Sequence, residues 1–327
     1  MPDAAVTEHA IETNGVTLRV LDVGTGPAVL LSHGFPELGY SWRHQVGPLA
    51  AAGYRVIVPD QRGYGGSSRP DAIEDYDIVH LTDDLVGILD ALGEEKAVMV
   101  GHDWGSFVVS HMAMMQPERT RALVNMSVPF TPRGQLSVVE MLKMVIPEDT
   151  FFYILYFQEV GPADADLAAD PRETMTRLLC GVKVDAEGAA SMVTSAPKKS
   201  EVKGFVDMMP PAPEVLPEWI TQEEVDHYVA VFSETGFTGG INWYRNFHRN
   251  WEITPQLADV KVEAPAYFIS GKQDPVIGGR DSGFDSPTLL DWRGETIIGG
   301  AGHWVQQEKP SETNTALINF LHDVHGK

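Results

Sequence analysis

A strand-then-helix rhythm runs through this chain, and it restricts the available folds more than any other feature. Ala28 to Leu31 reads as a short apolar strand ending at His33-Gly34-Phe35-Pro36. Ser41 can cap a helix that runs through Ala52 and is stopped by Gly53. Tyr54 to Val58 is the next strand, followed by a helix from Ile78 to Leu92 that Gly93 stops. The all-apolar strand Ala97 to Val100 leads into a helix from Gly105 to Met115, ended by Pro117, and then into the strand Ala122 to Met126. Strands alternating with helices of this length predict an α/β fold: a mostly parallel twisted sheet flanked by helices on both faces. Upstream, residues 8–22 read as two strands around Asn14-Gly15, a two-residue hairpin signal.

The rhythm breaks at Pro129 and resumes near Pro265, with strands Ala266 to Ser270 and Thr296 to Ile298 and a helix from Ser311 to Val324. The stretch between is rich in Met, Phe, Tyr and Trp, with prolines clustered at 210–217. It reads as a mainly helical cap inserted over the C-terminal edge of the sheet, where open α/β sheets bind ligands. The expected division is a core of residues 1–132 and 256–327 and a cap of residues 133–255.

Gly101-His102-Asp103-Trp104-Gly105 lies between an apolar strand and a helix. A sharp strand-to-helix turn needs small residues two before and two after the exposed one, because the chain doubles back on itself. This is the G-x-S-x-G elbow with Asp103 in the place of serine. The substitution carries chemical meaning. A serine attacking saturated carbon would leave an ether that an activated water cannot cleave. A carboxylate attacking the same carbon leaves an ester, which water can cleave at the enzyme's own carbonyl. An aspartate elbow therefore points to epoxides, alkyl halides or similar substrates.

Turnover then needs a base for the water and a group to orient that base. His303, in Gly302-His303-Trp304, follows the last predicted strand, and Asp274, in SGKQDP, follows the one before. Both are expected at the same sheet edge as Asp103, in the order nucleophile, acid, histidine of α/β-hydrolases. His303 would take the proton from water, and Asp274 would hold its tautomer. The backbone N–H groups of Trp104 and Phe35 are the expected oxyanion donors.

Composition closes off other classes. The chain has 46 acidic and 24 basic residues, a formal charge of −22, which disfavours nucleic acid and anionic membrane surfaces as partners. Cys180 is the only cysteine, so no internal disulfide forms. The opening MPDAAVTEHA lacks a signal-peptide pattern, and no apolar run approaches the ~20 residues of a membrane span, so a cytoplasmic protein is expected. The apolar run Phe151 to Phe157 is too short to span and is expected to be buried or to line a pocket. No Cys/His or carboxylate set has metal spacing, and no metal or cofactor is expected. Asp60 and Arg62 are expected in supporting ion pairs, and His33 and His102 in structural roles. Met141, Met144, Phe151, Phe152, Met208, Met209 and Trp243 are expected in the core or lining an apolar pocket.

Taken together, HGFPE (33–37), SWRHQ (41–45), DQRGYGGS (60–67), GHDWG (101–105), LYFQE (155–159), NWYRN (242–246) and GHWVQQEKP (302–310) resemble the soluble-type epoxide hydrolases of the α/β-hydrolase fold. The resemblance spans nearly the whole chain and implies the hydrolase module alone, without the N-terminal phosphatase domain of mammalian relatives. It implies a small, neutral, apolar epoxide as substrate, with water as co-reactant. It also implies two tyrosines that protonate the epoxide oxygen, matched here to Tyr153 and Tyr244. Tyr156, three residues from Tyr153, is the competing assignment. Phe35, Pro36, Trp104, Phe151, Trp243 and Trp304 are the expected pocket lining. Haloalkane dehalogenases share the aspartate elbow and are the alternative activity, although Phe35 stands where such an enzyme usually places a halide-binding Asn. A non-catalytic ligand receptor on the same scaffold is the second alternative.

Overall fold

The computed structural model describes residues 6–181, 183, 196–278 and 280–326. Its first two strands, β1 (Val6–Thr13) and β2 (Val16–Val23), form the hairpin expected at Asn14-Gly15, where both turn residues take positive φ. The rest of the sheet is β3 (Ala28–Ser32), β4 (Arg55–Pro59), β5 (Ala97–His102), β6 (Thr120–Met126), β7 (Ala266–Gly271) and β8 (Trp292–Ile298). The order across the sheet is β1-β2-β4-β3-β5-β6-β7-β8. Pairing is antiparallel from β1 to β2 and from β2 to β4, and parallel from β4 onward. Central strands β3 and β5 are buried along their whole length, which is why they read as continuous apolar runs and not as alternating ones.

Helices α1 (Arg43–Ala51), α2 (Ile78–Leu92) and α3 (Trp104–Met115) connect the first parallel strands. Helix α2 shows why its ends were legible. The Asp77 carboxylate accepts the His80 backbone N–H at 3.0 Å, and Gly93 closes the helix in the left-handed conformation. Ser41 does not cap α1. It lies in a preceding 3-10 turn, Gly39–Trp42, and its hydroxyl hydrogen-bonds the Tyr228 hydroxyl at 2.7 Å.

Between β6 and β7 the described chain is helical: α4 (Val138–Val145), α5 (Tyr153–Tyr156), α6 (Pro162–Ala168), α7 (Pro171–Gly181), α8 (Phe205–Met208), α9 (Gln222–Thr235), α10 (Thr238–Arg245) and α11 (Phe247–Ile253). Met141 and Met144 depart from the expected burial. Both lie on the outer face of α4, and Met144 is 75% exposed. After β8 come α12 (Val305–Glu308) and α13 (Pro310–His325). Among the described residues no helix is long and apolar enough to cross a membrane.

Candidate active site

Asp103 sits at the crossing of β5 and α3, with φ +53° and ψ −121°, a backbone state that non-glycine residues rarely occupy. The glycines explain how the turn is possible. A Cβ on Gly101 would collide with the Gly105 carbonyl, and one on Gly105 with the Ser32 carbonyl. The strained turn pushes the Asp103 carboxylate out past the sheet edge.

The loops after β7 and β8 bring Asp274 and His303 to the same place. His303 Nδ1 lies 3.1 Å from both carboxylate oxygens of Asp274, and Nε2 lies 3.5 Å from Asp103 Oδ2. Asp274 is fully buried and also accepts the Val276 N–H at 2.9 Å, whereas Asp103 and His303 each keep 15% of their side chain exposed. Burial opposes charge on His303, but Asp274, and then Asp103, raise its pKa well above the ordinary histidine value. Burial likewise opposes ionisation of Asp103. His303, His102 and the Phe35 N–H more than offset it and hold the carboxyl below its usual range. Both shifts favour a carboxylate–imidazolium pair at rest.

The Phe35 N–H donates to Asp103 Oδ1 at 2.8 Å. Trp104, as the first residue of α3, has a backbone N–H with no acceptor inside the helix. One carboxylate oxygen thus lies against an expected oxyanion donor, while the other faces His303. The Phe35-Pro36 peptide bond is cis.

Tyr153, at the start of α5, and Tyr244, on α10, approach from the inserted helical segment, with ring centroids 5.9 Å apart. Tyr244 packs edge-on against Phe35 and Trp104 at 5.3 and 5.1 Å. Burial raises the pKa of both phenols, and the Asp103 charge raises it further, so both stay protonated beside the carboxylate. A hydrogen bond between the Trp104 and Tyr244 side chains opposes that rise at Tyr244. Tyr156 is set apart from this pair. Its phenol, pushed up to about 12 by burial, responds to Asp166, Glu159 and Asp164 and not to Asp103.

Phe35 and Trp104 pack against Tyr244, and Trp304 against His303; Pro36, next to Phe35, is buried, and so is Phe151, whose ring packs on Tyr156. Trp243 does not line a pocket. It has no exposed surface, its indole donates to the Arg62 carbonyl at 3.2 Å, and it backs Trp104 at a ring distance of 5.8 Å. Asp60 pairs with Arg19 at 3.1 Å and Arg62 with Asp84 at 2.6 Å, both supporting contacts as expected.

Sequence reasoning left two supports without a role. Glu37, inside HGFPE, is fully buried and accepts from the Gly34 N–H at 2.9 Å and His102 Nδ1 at 2.6 Å. His102 in turn donates from Nε2 to the His303 carbonyl at 2.7 Å, which ties the Gly34–Glu37 loop to the histidine loop. Ser127, just past β6, takes φ +64° and donates its hydroxyl to the same carbonyl at 2.7 Å. The string HGFPE carried a signal for Glu37, but Ser127 had none.

The chain resembles known proteins along nearly its whole length. Residues 27–169 match the family model described as alpha/beta hydrolase fold. The chain is 50% identical to epoxide hydrolase A of Mycobacterium tuberculosis, over 97% of this chain and 98% of that protein. It is 36% identical to the bifunctional epoxide hydrolase 2 of Sus scrofa, over 98% of this chain but only 56% of that longer protein. The crystal structure of epoxide hydrolase A from Mycobacterium thermoresistibile superposes with a TM-score of 0.90 at 50% identity, covering 97% of this chain and 98% of that one.

Proposed function

The chain belongs to the epoxide hydrolases of the α/β-hydrolase fold, and we propose that it converts epoxides to vicinal diols through a covalent ester on Asp103. The observation that carries this reading is the split environment of the Asp103 carboxylate, with Oδ1 on the Phe35 N–H and Oδ2 toward His303. Oδ2 attacks an epoxide carbon and the C–O bond of the ring breaks. Tyr153 and Tyr244 hydrogen-bond the leaving oxygen, and one of them gives it a proton. An alkoxide is more basic than a phenolate, so phenols with raised pKa values can still deliver that proton. The product is a hydroxyalkyl ester whose carbonyl oxygen, Oδ1, already rests on Phe35.

Esterification removes the Asp103 charge, so His303 loses one of the two carboxylates that hold its proton. After giving its proton to solvent it is neutral and takes a proton from a water that attacks the ester carbonyl carbon; it regains a proton from solvent once the Asp103 carboxylate is restored. The oxyanion gathers on Oδ1, beside the N–H groups of Phe35 and Trp104. Collapse breaks the bond from the carbonyl carbon to Oδ2, and His303 returns its proton to the departing diol. The proton freed as Asp103 ionises again restores the phenol. Asp274 keeps Nδ1 protonated throughout, so Nε2 is the nitrogen that gains and loses the proton.

Residues 133–255 act as the cap in this scheme, supplying both tyrosines. A small, neutral, apolar epoxide suits the aromatic walls, and the −22 charge gives such a substrate no steering and repels nucleic acid. The lone Cys180 fits a reducing cytoplasm.

One turnover in heavy-oxygen water tests the scheme. The label will enter Asp103, and the diol will carry the former carboxylate oxygen. Label passing straight into the diol, with none in Asp103, overturns it. The tyrosines give a second test. Tyr153→Phe and Tyr244→Phe will each slow ester formation about 10- to 100-fold, and the double variant about 10²- to 10⁴-fold. Single-turnover tryptophan fluorescence, with Trp104 beside the ester, reads the rate. A Tyr153→Phe protein that forms ester at the parent rate removes Tyr153 from the mechanism.

A further inference from the structure

The buried carboxylate of Glu308 is not used by the chemistry above. It closes the one-turn helix α12 and bridges the two backbone N–H groups that flank His303. Oε2 accepts from Gly302 at 2.9 Å and Oε1 from Trp304 at 3.1 Å. Only 2% of the Glu308 side chain is exposed, and a carboxylate buried to that degree needs its charge matched. The match comes from the inserted helical segment. Lys183, two residues past the end of α7, places Nζ 2.5 Å from Glu308 Oε2 and 3.1 Å from the Gly300 carbonyl. The Trp304 indole donates to the Leu178 carbonyl of α7 at 3.0 Å, a second tie between the same two parts.

We propose that Glu308 is the positioning residue for His303, and that Lys183 completes its setting, so that seating α7 on the core also aligns the base. The His303 carbonyl is fixed from one side by His102 and Ser127. Without Glu308 the Ala301–Gly302 peptide loses the acceptor for its N–H and the His303–Trp304 peptide is held from its carbonyl side alone, so the imidazole can shift with them. A misplacement of about 1 Å in a reacting group costs roughly 100-fold in rate. The effect falls on one half-reaction. Ester formation uses Asp103, Tyr153 and Tyr244, none of which Glu308 touches, whereas hydrolysis requires Nε2, water and the ester carbonyl in line.

The inference rests on the two-step reading of the reaction, and the experiment separates the two. Glu308→Gln turns an NH₂ group toward N–H donors or toward Lys183. It is expected to slow ester hydrolysis about 10- to 100-fold while leaving the rate of ester formation near that of the parent. When hydrolysis alone slows, kcat and KM fall together and kcat/KM is held, whereas a fraction of misfolded protein lowers kcat with KM unchanged. Lys183→Met, which leaves the Glu308 carboxylate without its cation, should shift kcat and KM in the same direction by a smaller factor, with thermal unfolding followed beside it to set lost stability apart from lost positioning. Stopped-flow fluorescence and intact-protein mass spectrometry of the ester supply the readouts. If the parent forms no ester on Asp103, the two-step reading fails. If the parent forms it and both variants hydrolyse it at the parent rate, or lose kcat at constant KM, the positioning role alone is overturned.

Discussion

Replacing Asp103 with alanine will reduce diol formation by more than about 10⁴-fold and leave no covalent adduct after exposure to epoxide. The expectation follows from the carboxylate's position. It sits at the elbow with Oδ1 held by Phe35 and Oδ2 facing His303. His303 cannot substitute, because without the Asp103 ester it has no electrophilic carbonyl to direct water onto. Fold stability should change little in comparison, since alanine at φ +53° is no better suited to the turn and Asp103 is partly exposed. Asp103→Ser sharpens the test. Serine suits an elbow of this shape, yet any attack by it on an epoxide carbon ends as an ether that cannot turn over. Intact-protein mass spectrometry and a diol assay measure both variants. Diol formation by the alanine variant within tenfold of the parent would show that water attacks the epoxide directly.

The site was legible from sequence where backbone geometry dictates residue type. Gly101 and Gly105 are required because a Cβ at either place runs into backbone, so the elbow announced itself together with the residue it presents. Asp274 and His303 were legible because parallel strands all end at one edge, and a polar residue just past such a strand is delivered to that edge. Strand β4 was read one residue early and the others one to four residues short, as at β8, because sheet pairing recruits flanking residues with no apolar signature of their own. Side chains whose partners lie far along the chain were not legible. Ser41 looked like a helix cap, yet its partner is Tyr228, 187 residues away. Trp243 looked like pocket lining, yet its indole is committed to the Arg62 carbonyl. Glu37 and Glu308 lie within HGFPE and GHWVQQEKP, yet neither string says what its carboxylate binds. Only the folded chain shows each one buried and satisfied by groups from distant segments.

Replacing His303 with glutamine will separate the half-reactions. The variant should consume about one equivalent of epoxide per site, hold it as an ester on Asp103, and release diol roughly 10²- to 10⁴-fold more slowly than the parent. Glutamine fills the space but cannot accept a proton from water, while Asp103, Tyr153 and Tyr244 remain to open the ring. Lowering the pH of the parent should mimic the variant, and the sign follows from the two shifted groups. Asp103 is held below the usual carboxylate range, so it stays ionised and keeps attacking as the solution is acidified. His303 is held well above the usual histidine value while both carboxylates face it. In the ester only Asp274 remains charged, and the base must be neutral to act. Hydrolysis therefore fails first as pH falls through the His303 pKa of the ester state, whereas ester formation continues to lower pH. Acid quenching of the parent at successive pH values should show the ester fraction rising as turnover drops. In the glutamine variant the ester fraction should be high and flat across the same range. An ester fraction in the parent that stays constant as its turnover falls would remove His303 from the role of base.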